Sequence, residues 1–176
     1  MPPVRISRPA PSEHPAEFAD YFASIEGDDV RPTLLSQPEE MQRLLAPLPE
    51  DRGLHRYAPG KWTIKGVVGH VCDLERILTY RTLRFARGDE TPLATFDDDR
   101  YVSVADFDSR PLRDLLREFA SIRAATSTLF DSFDEAALGR FGVARGFRVG
   151  VRALAWLIAG HVRHHLTLLR ERYRVA

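Results

Sequence analysis

The stretch TIKGVVGHVCDLERILTYRTLRFAR (residues 63–87) decides the fold of this chain. Its apolar residues recur at spacings of three and four, which is typical of one face of an α-helix; they are Ile64, Val67, Val68, Val71, Leu74, Leu78 and Phe85. Thr63 is a suitable N-cap, because its hydroxyl can accept a hydrogen bond from the first helical turn, and Gly88 ends the pattern. The spacing therefore predicts a long helix with one apolar face.

Three further long helices are predicted along the chain. One carries apolar residues over 34–45, and Pro38 inside it predicts a break or a helix restarted at Ser36. The other two span 111–133 and about 150–172. Four long helices joined by loops predict an all-α fold, an antiparallel four-helix bundle.

Smaller elements are predicted around this bundle. The proline-rich residues 1–15 predict an extended or disordered N-terminal arm. A single domain is expected over 16–176, opening with an extra short N-terminal helix that Gly27 stops. Residues 88–110 are predicted to form a long acidic connection. Apolar residues flank an Arg-Gly turn in FGVARGFRVG, which predicts a small β-hairpin near 141–149 or an extended loop.

Composition limits the class of protein. The chain has 176 residues, and 44% of them are hydrophobic, enough for one folded domain. Lys plus Arg number 25 and Asp plus Glu also 25, so net charge gives no argument for nucleic acid or an anionic membrane. The single cysteine excludes an internal disulfide. Without an apolar run of about 20 residues or a signal-peptide pattern, a cytoplasmic protein is expected.

The histidines are the main candidates for chemistry. Three of the six fall in GHVRHH, where His161 and His165 lie about 40° apart on one helical face, one turn from each other. Two imidazoles at this spacing can converge on one metal ion, and the pair of His161 and His164 is also possible. A third ligand must come from elsewhere, and His70 is the best candidate because it lies at the edge of an apolar helix face. Packing in the core without a metal is the alternative for each of them.

Two stretches together resemble a known family. GKWTIKGVVGHVCDLERI, followed near the end of the chain by ALAWLIAGHVRHHLTLLRERY, resembles the DinB-like (YfiT-like) superfamily of metal-dependent proteins. The resemblance rests on a Trp just ahead of a helix with one His, then a distal His-x-x-x-His. It implies a four-helix bundle in which three histidines hold Ni²⁺ or Zn²⁺. By position the ligands are His70, His161 and His165, while His164 faces aside.

The resemblance implies an enzyme without fixing its reaction. Members of the family are described as metal-dependent hydrolases or as transferases that use a low-molecular-weight thiol as co-substrate, so a small-molecule substrate is expected. Three imidazoles leave coordination positions open, which suits both reactions. The candidates for supporting the ligands or bordering the substrate cleft are Asp73, Arg81, Tyr101 and His164.

Two other classes of function stay open. In the first, the metal stiffens a non-enzymatic bundle used for dimerisation or sensing, and a homodimer through helix faces is expected for the enzyme as well. In the second, the arginine-rich residues 139–176 bind nucleic acid. The acidic residues 89–108 are a more favourable partner for those arginines, so nucleic-acid binding is the weaker hypothesis.

Overall fold

The computed structural model describes residues 4–176 and consists mostly of helices. In chain order these are α1 (Ala19–Ala23), α2 (Arg31–Leu45), α3 (Ile64–Ala86), α4 (Asp98–Val104), α5 (Leu112–Asp131), α6 (Glu135–Leu138) and α7 (Val151–Glu171). The four long helices form a bundle, because α3 packs against α5 and α7 and α2 packs against the same two. The predicted four-helix bundle is confirmed. No helix within residues 4–176 combines the length and the apolarity needed to cross a membrane.

The predicted β-hairpin is also confirmed. Strand β1 (Phe141–Ala144) pairs antiparallel with β2 (Phe147–Gly150). Arg145 and Gly146 form the turn with φ of 54° and 80°, the left-handed conformation that two-residue hairpin turns require. Leu93 adds a short parallel bridge beside Ala144, so the connection after α3 is fixed to the hairpin.

The break predicted at Pro38 is wrong, because α2 runs through this residue without interruption. A proline inside a helix leaves the carbonyl four residues earlier without its usual N–H donor. Here that carbonyl belongs to Leu34, and the buried Arg123 guanidinium donates to it at 2.8 Å. The helix continues because a side chain replaces the missing donor.

The acidic connection over 88–110 contains more structure than the sequence predicts. It includes α4, whose N-cap Asp97 accepts a hydrogen bond from the Arg100 amide at 3.0 Å. A short 3₁₀ turn follows, and its Phe107 is buried against α3. A Cβ at Gly69 would lie 2.4 Å from the Phe107 ring, so this contact requires glycine on α3.

The bundle core is divided into two apolar clusters by a layer of polar side chains. Arg123 donates from Nε and Nη2 to the two carboxylate oxygens of Glu75, both at 2.8 Å, and from Nη1 to Gln37 Oε1 at 2.7 Å. Gln37 Nε2 in turn donates to the Ala159 carbonyl at 2.7 Å. We call these three side chains, with the carbonyls of Leu34 and Ala159, the Arg123 network. It joins all four long helices.

The N-terminal segment is packed on the bundle from Val4 onward, and residues 1–3 of the predicted arm lie outside the described residues. Ile6 is fully buried. The Trp156 indole N–H donates to the carbonyls of Ile6 and Ser7, and the Arg8 guanidinium lies 4.3 Å from the centre of the Trp156 ring. These contacts place the start of the chain against α7.

Helix α1 approaches α7 at a glycine. A Cβ added at Gly160 would lie 2.5 Å from the Tyr21 carbonyl oxygen, so no larger residue fits without movement of α1. The close approach sets the Tyr21 ring beside His161, with ring centres 6.3 Å apart. Gly160 therefore positions an aromatic side chain next to the histidines.

Candidate metal centre

Three histidines converge between α3 and α7. His70 comes from α3, and His161 and His165 come from successive turns of α7. The Nε2 atom of His161 lies 3.0 Å from Nε2 of His70 and 3.0 Å from Nε2 of His165. Each of the three residues is 6% exposed. We call this group the histidine triad; its ring nitrogens lie within 4.8 Å of one another.

Hydrogen bonding among the three rings cannot account for both short contacts. A neutral imidazole has one N–H donor and one in-plane lone pair, so His161 Nε2 can take part in one well-aligned hydrogen bond. It nevertheless has two nitrogens at 3.0 Å. Two nitrogens that each lie about 2.0–2.1 Å from one zinc ion are about 3 Å apart when the angle at the ion is near 95°. The spacing therefore fits a shared cation.

Burial keeps the triad neutral. Desolvation lowers the pKa of His70 to about 4, against the weaker effect of the Asp99 charge, which raises it. Desolvation also lowers the pKa values of His161 and His165 well below the usual range, and the other histidines lower them further. Neutral rings have free lone pairs, the form that binds a metal ion.

A cavity of about 320 Å³ opens onto the triad. Its walls are mainly apolar and aromatic: Pro15, Phe18, Tyr21, Trp62, Leu74, Leu78, Phe96, Ala144, Phe147, Val149, Leu154 and Leu157. The remaining lining residues are polar or charged: Arg81, Asp98, Arg145, His164 and the triad itself. An apolar cavity with a few convergent polar groups is the usual form of a small-molecule site.

Comparison with known proteins agrees with this geometry. The family model described as DinB superfamily matches residues 33–169, which include the whole triad. The chain belongs to the DinB superfamily. The resemblance seen in the sequence is thereby confirmed.

Individual relatives of this DinB-superfamily chain are distant. A protein of Geobacillus thermodenitrificans (strain NG80-2), named "Putative metal-dependent hydrolase", is 23% identical over 160 residues, covering 88% of this chain and 90% of that protein. The structure of YfiT from Bacillus subtilis, described as a probable metal-dependent hydrolase with an unusual four-helix bundle topology, superposes with a TM-score of 0.75 at 17% identity. It covers 96% of this chain and 94% of YfiT.

A third similar protein has a different described activity. The crystal structure of the mycothiol-dependent maleylpyruvate isomerase has a TM-score of 0.66 and 18% identity, covering 83% of this chain and 61% of that protein. At these identities the two solved structures show that the DinB-superfamily chain shares their fold.

The other candidates from the sequence separate into two pairs. Arg81 and His164 line the cavity. Asp73 does not; it lies on α3 with its carboxylate 3.7 Å from the Arg76 guanidinium. Tyr101 is exposed and packs on Phe96, with ring centres 5.2 Å apart, so it borders the lining without joining it.

Sequence reasoning missed Asp98. It is this carboxylate, and not that of Asp73, that lies beside the His70 ring. Its Oδ1 lies 3.7 Å from Nδ1 of His70, on the side of the ring that faces away from the triad. That oxygen is buried and has no hydrogen-bond partner among the described residues. The run Asp97-Asp98-Asp99 reads as a solvated turn in the sequence, because nothing local shows that α4 folds back over α3.

Trp62 and Arg145 were also missed as lining residues. The Trp62 ring lies against His70, with ring centres 4.6 Å apart, and its indole N–H donates to Asp99 at 3.1 Å. The position of Trp62 just ahead of α3 was a usable signal. Arg145 was recognised only as part of a turn.

Proposed function

We propose that this protein is a metal-dependent enzyme, a hydrolase of a small molecule, and that the histidine triad holds one divalent transition metal ion, zinc or nickel. The observation that carries the proposal is the convergence of three buried Nε2 atoms at the wall of a cavity. Nitrogen ligands suit both metals. The name of the Geobacillus relative and the description of YfiT support hydrolysis.

The chain's own residues would have distinct tasks. When bound, a divalent ion supplies Lewis acidity to a group in the cavity. The triad offers three lone pairs, and Trp62 covers the outer face of His70. Asp98 faces the Nδ1 side of the same ring, where a carboxylate favours the tautomer that carries its proton on Nδ1 and leaves Nε2 free.

Asp98 is also a candidate proton acceptor. It is the one carboxylate in the cavity lining within residues 4–176. Desolvation raises its pKa, and the neighbouring acids raise it further, although the charge of Arg145 lowers it. A carboxylate with a raised pKa is the stronger base. Its Oδ1 is buried, although the side chain as a whole is 48% exposed.

Thiol transfer is the second candidate reaction, with a low-molecular-weight thiol as co-substrate. The fold shared with a mycothiol-dependent isomerase supports it. The same triad suits it, since a metal ion holds a thiol as the thiolate.

Metal analysis tests the triad directly. Purified protein without an affinity tag should contain one zinc or nickel ion per chain. The His165→Ala variant should be strongly depleted, and the His161→Ala and His70→Ala variants likewise. His164→Ala is the matched control, because His164 lines the cavity beside the triad yet stays outside it. Full metal content in the triad variants would contradict the proposal.

Activity measurements distinguish an enzyme from a non-enzymatic protein in which the metal is structural. The untreated protein is assayed on a panel of small esters and amides, and with electrophiles plus cysteine or glutathione. An enzyme should lose turnover on chelation and regain it with metal while its circular dichroism is unchanged. Unfolding on chelation, with no turnover beforehand, would favour the non-enzymatic module.

The homodimer and the cytoplasmic location stay predictions. Sedimentation of the purified chain tests the first. Retardation of DNA that falls with salt would support the nucleic-acid alternative.

A further inference from the structure

Two arginines line the cavity in addition to the triad. Arg81 is buried on α3, eleven residues after His70. Eleven residues are three helical turns, so Arg81 and His70 lie on the same face with Cα atoms about 16 Å apart. Arg145 reaches the cavity from the hairpin turn. The cavity lining therefore combines three histidines with two arginines.

Neither arginine has a carboxylate partner among the described residues. Arg81 Nη2 donates to the Ala94 carbonyl at 2.8 Å, and the guanidinium lies 5.8 Å from the centre of the Phe96 ring. Neither Arg81 nor Arg145 forms an ion pair within residues 4–176, although the charges of both act on the Asp98 carboxylate in the same lining. Buried charged groups are normally paired, because desolvation of a lone charge is costly. Both side chains line the same cavity, and burial, followed by the Arg145 charge, lowers the pKa of Arg81.

The charge balance of the lining favours an anion. Among the acidic side chains of residues 4–176, Asp98 alone lines the cavity with the two arginines. A divalent ion at the triad would add further positive charge. A guanidinium fork matches the two oxygens of a carboxylate, and forms charge-assisted hydrogen bonds with it.

The rest of the cavity lining is mainly apolar. Aromatic rings form much of it, among them Phe18, Tyr21, Phe96 and Phe147. A volume of about 320 Å³ equals that of about ten water molecules at ~30 Å³ each. It lies at the small end of the usual range for ligand pockets.

We propose that the cavity binds small aromatic carboxylates, with the carboxylate held by Arg81 and Arg145 and the apolar body lying between them and the triad. This inference rests on the proposed function for the reaction itself and names its substrate class. The reacting group of the substrate is the part that reaches the triad. Arg81 and Arg145 determine specificity and do not take part in the chemical step.

The test uses 2-naphthoate and its neutral analogue 2-naphthamide as probes of the metal-loaded protein, with calorimetry or fluorescence as readout. The carboxylate should bind at least tenfold more tightly than the amide. Arg81→Gln and Arg145→Asn should each weaken naphthoate binding by roughly tenfold to a hundredfold, because one charge-assisted hydrogen bond contributes about 1.5–3 kcal/mol. Binding of the amide should change little.

The hairpin offers a matched control. Arg148→Asn removes the same charge three residues away, from a side chain that stacks on Phe141 and lies outside the cavity lining. It should leave naphthoate affinity unchanged. Asn is chosen at 145 because it tolerates the positive φ of this turn. If Arg81→Gln fails to fold, Arg145→Asn, an exposed position, decides the question alone.

Three results would overturn the inference: equal affinity for the acid and the amide, an equal effect of Arg148→Asn, or unchanged affinity in the folded cavity variants. Comparing the arginine variants with His165→Ala distinguishes failure of this inference from failure of the proposed function. Binding that is abolished in His165→Ala but unaffected in both arginine variants shows a carboxylate held by the metal; this overturns the inference and supports the metal site. Arginine-dependent binding by a chain that holds no metal supports the inference and contradicts the proposed function.

Discussion

The Arg123 network and the histidine triad are two buried polar groups in the same bundle, and they differ in how their hydrogen-bonding capacity is used. Arg123 and Glu75 are each 2% exposed at the side chain, and their charged atoms are matched in a bidentate pair. In the triad, two contacts compete for one nitrogen of His161, and Nδ1 of His165 has no partner in the described part of the chain. A fully hydrogen-bonded buried network makes a core rigid, whereas the triad has hydrogen-bonding capacity left over.

The two groups are mechanically connected. Glu75 follows His70 on α3, and the Ala159 carbonyl bound by Gln37 precedes His161 on α7. The network therefore fixes the spacing of the two helices that carry the triad.

The largest expected effect comes from breaking the Arg123 network. Arg123→Ala leaves the Glu75 carboxylate buried without a partner and removes the donor to Leu34, so the free energy of unfolding should fall by about 3–5 kcal/mol. Urea unfolding measures this. Arg43→Ala, which breaks the exposed pair with Glu39, is the control and should cost under about 1 kcal/mol. Similar losses in both variants would remove the distinction between the network and a surface ion pair.

The free energy of unfolding of the metal-free protein should depend on pH because of the triad. The pKa of His70 is lowered from 6.5 to about 4 in the folded state, so between these values the unfolded chain binds more protons. Stability is then highest above pH 6.5 and falls as the pH drops toward 4, by about 3 kcal/mol from His70 alone. His161 and His165 act in the same direction.

Urea unfolding between pH 7 and pH 4 measures this slope. His70→Phe should show a shallower dependence on pH than the parent, since the titrating ring is gone. Identical slopes would mean that His70 is not protonated differently in the folded and unfolded states.

A smaller effect is expected from removing a triad member. In the metal-free protein, His165→Leu replaces a ring whose Nδ1 has no hydrogen-bond partner in the described part of the chain, and His161 keeps its contact with His70 at 3.0 Å. Stability should change by about 1 kcal/mol or less, although the proposed metal binding would be lost. A loss as large as that of Arg123→Ala would show that the triad stabilises the fold itself.

The smallest effect is expected at Pro38. Proline inside a helix usually costs about 3 kcal/mol, but here Arg123 already satisfies the carbonyl left free. Pro38→Ala should therefore stabilise the protein by about 1 kcal/mol at most, measured by thermal or urea unfolding. A gain of the full 3 kcal/mol would show that the guanidinium does not replace the missing donor.

The sequence predicts the features that depend on local spacing. The period of the apolar residues in α3 gives its boundaries to within one residue, and the i,i+4 spacing of His161 and His165 puts two rings on one face. His70 could be chosen because it lies at the edge of an apolar face. The family resemblance added the fold and the full set of three.

Features that depend on the path of the chain could not be predicted. Arg123, Glu75 and Gln37 look like ordinary polar residues on separate helices, and only their assembly shows that they are buried together. Asp98 reaches His70 because a short helix folds back over α3. Arg145 lines the cavity because the hairpin stands beside it. The spacing of residues within one helix or strand cannot predict contacts between residues of different elements.

Because Gly160 has no Cβ, α1 can approach α7 closely, and this approach sets the position of Tyr21 in the cavity lining. A larger side chain at residue 160 would push α1 and its tyrosine away from α7. Substitution of Gly160, which does not line the cavity, could therefore adapt the cavity to bulkier substrates.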